Sequence, residues 1–407
     1  MIVRGIAAAA MLCALPASAV EGMAALSAGV NVHDQYSSIL PTRPPVIPAR
    51  YRYCRGEPFR LYLAIENPAV TEGRANVDGI FRLRAPDGSE RVIGENMEIF
   101  SGVYPGGQVI SPLMLRTRMT GNDPIGDYRL LVTFVDRNDG SRVDKELKFR
   151  ITGDSHDDGS TMSVAEMELF LDGYYLAPDP SRILPAFRGF IAGEANLRMQ
   201  QGREFSPYGY VTAFARLLEL NPQLRGAFAD AAAKLPADKS RYAALVIAGA
   251  GKQCVKAMMP LLDTRTAGLI GGFGGRNPLE NAEVGEAAQI DGLWRGFTVT
   301  GQVAPVKKIV AELEDRPMLD LDEVRRRGGR LTEEERGRLR NFLLRKAAAV
   351  RLTEDAPKHR LLYFYLEAML ARGEIPAGGA RALIEKIVAD SADVYPSGGR
   401  KDVELHR

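Results

Sequence analysis

A change of hydrophobic period at Thr152-Gly-Asp-Ser-His-Asp-Asp-Gly-Ser160 constrains this chain more than any other feature. Before that polar seam apolar residues alternate, as on strands. After it they recur at helical spacing almost to the end. Segregated periods of this kind predict an α+β protein built as two domains. The boundaries that follow are a β-sandwich domain over 50–152, a linker over 153–162 and an all-α domain over 163–393, with a disordered C-terminal tail at 394–407. A chain of 407 residues is long enough to give each domain its own core.

The strand signals are specific. Phe59, Leu61, Leu63 and Ile65 fall on one face of a run, and Ile80-Phe-Arg-Leu-Arg84 leads into the turn Pro86-Asp-Gly88. Val109 to Leu115 is a further candidate, which Pro112 places at a sheet edge. Tyr128, Leu130, Val132 and Phe134 alternate along one strand of a hairpin, with Leu147, Phe149 and Ile151 on its partner and Asp136-Arg-Asn-Asp-Gly140 as the turn. Short antiparallel strands at this spacing predict a sandwich. The Gly126-Asp-Tyr128 strand start resembles that of bacterial immunoglobulin-like domains, which implies a fold and no activity.

Upstream, Arg4, the apolar run Gly5 to Leu15 and Ala17-Ser-Ala19 have the layout of a secretory signal peptide at 1–19, cut after Ala19. That predicts a periplasmic or secreted protein with no transmembrane anchor. Residues 20–49, crowded by Pro41, Pro44, Pro45 and Pro48, read as an extended Pro-rich lead-in, a poorly ordered arm against the first domain. Of the 3 cysteines, Cys13 lies in the signal, which leaves Cys54 and Cys254 as either one disulfide or two thiols.

Downstream, Ser163-Val-Ala-Glu166 and Thr332-Glu-Glu-Glu335 are capping boxes. Asp179-Pro180, Ser206-Pro207, Asn221-Pro222 and Asn277-Pro278 each set a capping side chain before a first-turn proline. The helix opened by Thr332 carries Leu339, Phe342, Leu343 and Val350 as its inward stripe. Two hairpins read helix, Gly, Pro, helix, around Gly301-Pro305 and Gly373-Pro376. They suggest either a degenerate helical repeat or a compact irregular domain. Leu293-Trp-Arg-Gly-Phe297-Thr-Val-Thr-Gly301, followed by Pro305-Val-Lys-Lys-Ile309 and preceded by Tyr174-Tyr-Leu-Ala-Pro178, resembles a helical hairpin of uncharacterised bacterial exported proteins. The resemblance spans about Met162 to Asp315. It implies a helical domain and carries over no catalytic residue.

No chemical motif is complete. Asp154, His156, Asp158 and Gly159 mimic half a calcium loop, but the twelfth position is Ala165, with Glu166 one residue late. Gly153-Asp-Ser155 matches the first block of a group of serine esterases. Gly121-Asn-Asp123 precedes it instead of following, and Asp402 and His406 are misplaced. Gly249-Ala-Gly-Lys252 lacks the phosphate-loop glycine, since position 246 is Val, and Gly271-Gly-Phe-Gly-Gly275 lacks dinucleotide spacing. The 4 histidines His33, His156, His359 and His406 are not at ligand spacing. Arg325 to Arg330 is a basic run answered at once by Glu333, Glu334 and Glu335, and Trp294 reads as core. With 53 basic against 51 acidic residues, no field points to nucleic acid. The sequence thus predicts no catalytic, cofactor or metal residue. It favours an exported non-catalytic binding or scaffold protein acting through its helical domain or sandwich edge, with another envelope or secreted protein as partner. The alternative is an envelope hydrolase in which Glu194 or Glu204, beside Tyr208 and Tyr210, lines a cleft.

Overall fold

The computed structural model describes residues 20–28, 32–43, 45–153, 158–201, 206–279, 287–314, 319, 321–326, 328, 330–375 and 377–395. Residues 1–19, Pro44, Asp154 to Asp157, Glu204, Pro376 and the tail beyond Tyr395 lie outside them. The chain is a mixed α+β protein, with its strands before the seam and its long helices after it.

The alternating segments build two sheets. Strands β1 (Glu21–Ser27), β2 (Arg52–Tyr53), β3 (Pro58–Glu66), β4 (Arg74–Arg84), β5 (Glu90–Val103), β6 (Val109–Ile110), β7 (Leu115–Arg118), β8 (Gly126–Asp136) and β9 (Arg142–Ile151) follow in order. In one sheet β3 lies between β1 and the successive short strands β6 and β7. The other runs β2-β9-β8-β4-β5, with β2 parallel to β9. Phe59, Leu61, Leu63 and Ile65 of the first sheet share a core with Phe81, Val132, Phe134 and Phe149 of the second. Each such side chain contributes about 1.5–3 kcal/mol on burial. Pro112 lies in the gap between β6 and β7, where a residue without an N–H suits an interrupted edge. Strand β5 was illegible as alternation because its pairing with β4 shifts register three times.

The described residues between 20 and 49 do not form a loose arm. Strand β1 pairs with β3 along its whole length. The helix α1 (Val32–Ser38) follows, with Val32 packed on the outer face of that sheet beside Tyr62. Ile39, next in the chain, is buried in a helical core, and Arg43 forms a two-bonded ion pair with Glu367 at 2.7 and 2.8 Å. Ile47 then returns to the sheet. The proline-rich pattern forbids long helices but permits this strap, which ties the two parts of the molecule together.

The helices are α2 (Val164–Gly173), α3 (Ile183–Gln201), α4 (Tyr208–Leu220), α5 (Arg225–Ala233), α6 (Ser240–Gly249), α7 (Lys252–Met258), α8 (Thr264–Gly272), α9 (Ala287–Thr300), α10 (Val303–Ala311), α11 (Leu321–Arg326), α12 (Glu333–Asp355), α13 (Arg360–Ala371) and α14 (Gly379–Ser391). Both capping boxes form where the sequence places them. The proline pairs divide. Asp179 and Asn221 precede 3-10 turns, Ser206 accepts from the Tyr208 N–H, and Asn277 accepts from the Leu279 N–H in a turn. The expected stripe on α12 is corrected. Leu343 and Val350 are exposed, while Leu344, Ala348 and Leu352 face the core. Helix α9 packs against α2, α4, α10 and α12. On that helix Phe297 meets Tyr175 at 5.5 Å, bringing together two of the segments that carry the sequence resemblance.

Candidate functional site

The two sheets end differently, and the difference leaves an opening. β5 is the last strand of one sheet and β7 the last beside β3 in the other. Between them the shared core is open as a crevice of about 350 Å³. Phe59, Leu61, Leu83, Leu130 and Phe149 form its floor, and Val92 and Ile93 on one lip face Leu115 and Thr117 on the other. Val92 and Ile93 are about half exposed, at 52% and 47%, and give that lip an apolar surface. The volume lies at the lower end of the range of ligand pockets.

The two lips differ chemically. Arg91 stands opposite Leu83, so its side chain leaves the edge of β5 on the core side, and its guanidinium lies 3.9 Å from Asp123. An inward charge and a broken register are how sheet edges resist pairing. β7 has neither. It runs in regular register with β3, Leu115 opposite Leu61 and Thr117 opposite Phe59, and no strand pairs with its outer edge among the described residues.

Alternation along β7 turns its other two residues toward the outer face of the sheet, with Arg116 also lining the rim of the crevice. Arg116 stands directly opposite Arg60, and Arg118 opposite Pro58. Like charges placed opposite one another on a sheet are destabilising. Burial, and then the neighbouring Arg116, hold the Arg60 guanidinium below its ordinary range, and Arg60 Nη1 is buried with no acceptor. Arg60, Arg116 and Arg118 make no ion pair among the described residues. The site is therefore an apolar slot with a free strand edge and an uncompensated cationic face beside it. Sequence reasoning missed it. The available signal was Leu115-Arg-Thr-Arg118, a two-residue period pairing apolar or small residues with cations.

The candidates from the sequence lie elsewhere. Glu194 is buried. It accepts a hydrogen bond from the Tyr242 hydroxyl at 2.7 Å and pairs with Lys239, which also lies 3.8 Å from Asp238. A shallow hollow of about 600 Å³ opens beside it. The expected aromatic neighbours do not join it: the Tyr208 hydroxyl donates to the Leu279 carbonyl, and the Tyr210 hydroxyl to Glu168, in a cluster with Arg295 and Asp172. Glu204 and Ser155 lie outside the described residues.

At the seam the Ser160 hydroxyl and then its N–H donate to Asp158, which holds that carboxyl below the ordinary range, and Glu166 is engaged in capping with Ser163. Among the described residues no cluster of His, Cys, Asp and Glu could hold a metal ion. Cys54 and Cys254 are both free thiols, Cys54 beside Thr152 and Cys254 beside Met258 in a helical core. His33 contacts the Ser111 carbonyl through Nε2 at 2.7 Å, and His359 packs edge-on against Trp294, itself core. Gly249 packs closely on Leu279, and Gly251, at φ +92°, starts α7. Gly274 and Gly275 turn the chain after α8. Arg325 and Arg326 end α11.

Among the described residues no helix is long and apolar enough to cross a membrane. No protein-family model matches the chain, and no curated protein matches it. Among solved structures, a family 123 glycoside hydrolase from Clostridium perfringens aligns with 45% of this chain and 37% of its own, at 6% identity and a TM-score of 0.19. A likeness at that score carries no argument about fold or activity.

Proposed function

We propose that this is an exported, non-catalytic binding or scaffold protein that holds another envelope or secreted protein at the open edge of its sheet pair. The observation that carries the reading is the crevice. A free strand edge, an apolar slot reaching the core and exposed β-branched lips together form a surface suited to strand addition. The hydrolase reading is weaker, because Glu194 is held by Lys239 and Tyr242 and its expected aromatic neighbours are engaged elsewhere.

We also infer that the sheet pair is immunoglobulin-like. In support, the first strand pairs with β3, the short β2 runs parallel to the last strand, and Tyr128 at the start of β8 donates its hydroxyl to the Pro124 carbonyl at 2.8 Å. That last contact has the form of the tyrosine corner of such domains.

The test is a photo-crosslinking residue placed at Thr117, with another at Val350 on exposed α12 as control, in mature protein mixed with its own envelope fraction. A protein adduct formed from position 117 and not from 350 is the expected result. No protein adduct from 117, together with release of envelope glycan fragments that Glu194→Gln abolishes, would replace this reading with the hydrolase.

A further inference from the structure

The register of β7 says more about the occupant than the crevice alone. A strand paired with the outer edge of β7 shares its pleat, so residues directly opposite lie on the same face. Side chains opposite Leu115 and Thr117 then enter the slot floored by Phe59, Leu61 and Phe149. Side chains opposite Arg116 and Arg118 lie on the outer face, next to guanidinium groups that pair with no carboxylate among the described residues.

Resting on the binding reading above, we propose that the occupant is an extended segment of another exported protein in which apolar residues alternate with Asp or Glu. The apolar set fills the crevice, and the acidic set neutralises the Arg116 and Arg118 face. Edge protection alone accounts for arginines on a terminal strand, but it requires no apolar slot behind them. Recognition of an anionic lipid would use the same charge, but it would leave the backbone edge of β7 unpaired.

The test uses the full mature chain and three labelled peptides: an alternating Leu/Glu sequence, its Leu/Lys counterpart, and the Leu/Glu composition rearranged in blocks. Binding is followed by fluorescence anisotropy at low and high salt. The alternating acidic peptide is expected to bind best, more weakly at high salt, with slowed amide exchange at 115–118 and unchanged exchange along β5. The double variant Arg116→Glu/Arg118→Glu, both positions being exposed, should weaken it by about tenfold and transfer preference to the Leu/Lys peptide. That exchange of preference shows that the variant is folded.

Equal binding of all three peptides, indifference to the charge reversal, or unchanged exchange at 115–118 would overturn the proposal. So would occupancy by anionic phospholipid vesicles in place of any peptide. If the peptides fail while Thr117 still cross-links to protein, the residue pattern falls and the binding reading stands. If both fail, both fall.

Discussion

Two buried polar residues govern much of what the helical part can tolerate. Arg43 has a side chain only 5% exposed, gripping Glu367 with two hydrogen bonds and lying over Tyr363 and Phe364. Arg43→Ala strands a carboxylate that is itself one-fifth exposed, and denaturant titration should show a loss of about 2–3 kcal/mol. His359 is held below its ordinary range by burial against Trp294 and Phe297, with Lys358 and Arg295 acting in the same direction and Asp355 and Asp172 opposing. The folded state therefore binds its proton less readily than the unfolded chain. The stability it contributes is present above the ordinary histidine value of about 6.5 and is lost as pH falls below it. His359→Leu should flatten that acid-side decline in melting temperature; an unchanged slope would show that other groups set it. Neither role was legible in sequence. Arg43 sits in a proline-rich run, and its partner lies more than three hundred positions away.

At the scale of elements, local chemistry was legible and tertiary choice was not. Ser163 and Thr332 announce their helices because an N-cap hydroxyl and a glutamate three residues on satisfy donors that the helix itself leaves open. Helix α12 begins well before its first core residue, Leu344, so its first turns depend on that cap. Thr332→Ala should cost about 1 kcal/mol and speed amide exchange at 333–340 more than at 344–355. Uniform exchange along the helix would contradict this. The inward face of α12 was misassigned because apolar residues occur on both of its sides, and only packing selects Leu344, Ala348 and Leu352 over Leu343 and Val350. The strands divide in the same way. The β8–β9 hairpin is explicit in its turn and alternation, whereas β1 was masked by its short apolar run and β5 by its bulges. The crevice depends on which strands are absent, and no local pattern records an absence.

On the scale of the whole molecule, the change of period at the seam marks where strands give way to long helices, but it suggested a single joint. The chain in fact leaves the sheets after β1, buries Ile39 and Arg43 among α13 and its neighbours, and returns at Ile47, well before the seam is reached. Arg372 adds hydrogen bonds to the carbonyls of Ser37, Ser38 and Ile39. Sheets and helices coupled this way should melt in one calorimetric transition; two transitions in the unaltered protein would contradict the coupling. The most direct measurement is the occupancy of that crevice in its own compartment, read by thiol labelling of Thr117→Cys expressed at native level, with Val350→Cys as the exposed reference. Both positions should label readily in purified protein, with protection at 117 alone in the intact envelope to which the proposal assigns the protein. Equal labelling of the two positions in both settings would mean that nothing sits along β7.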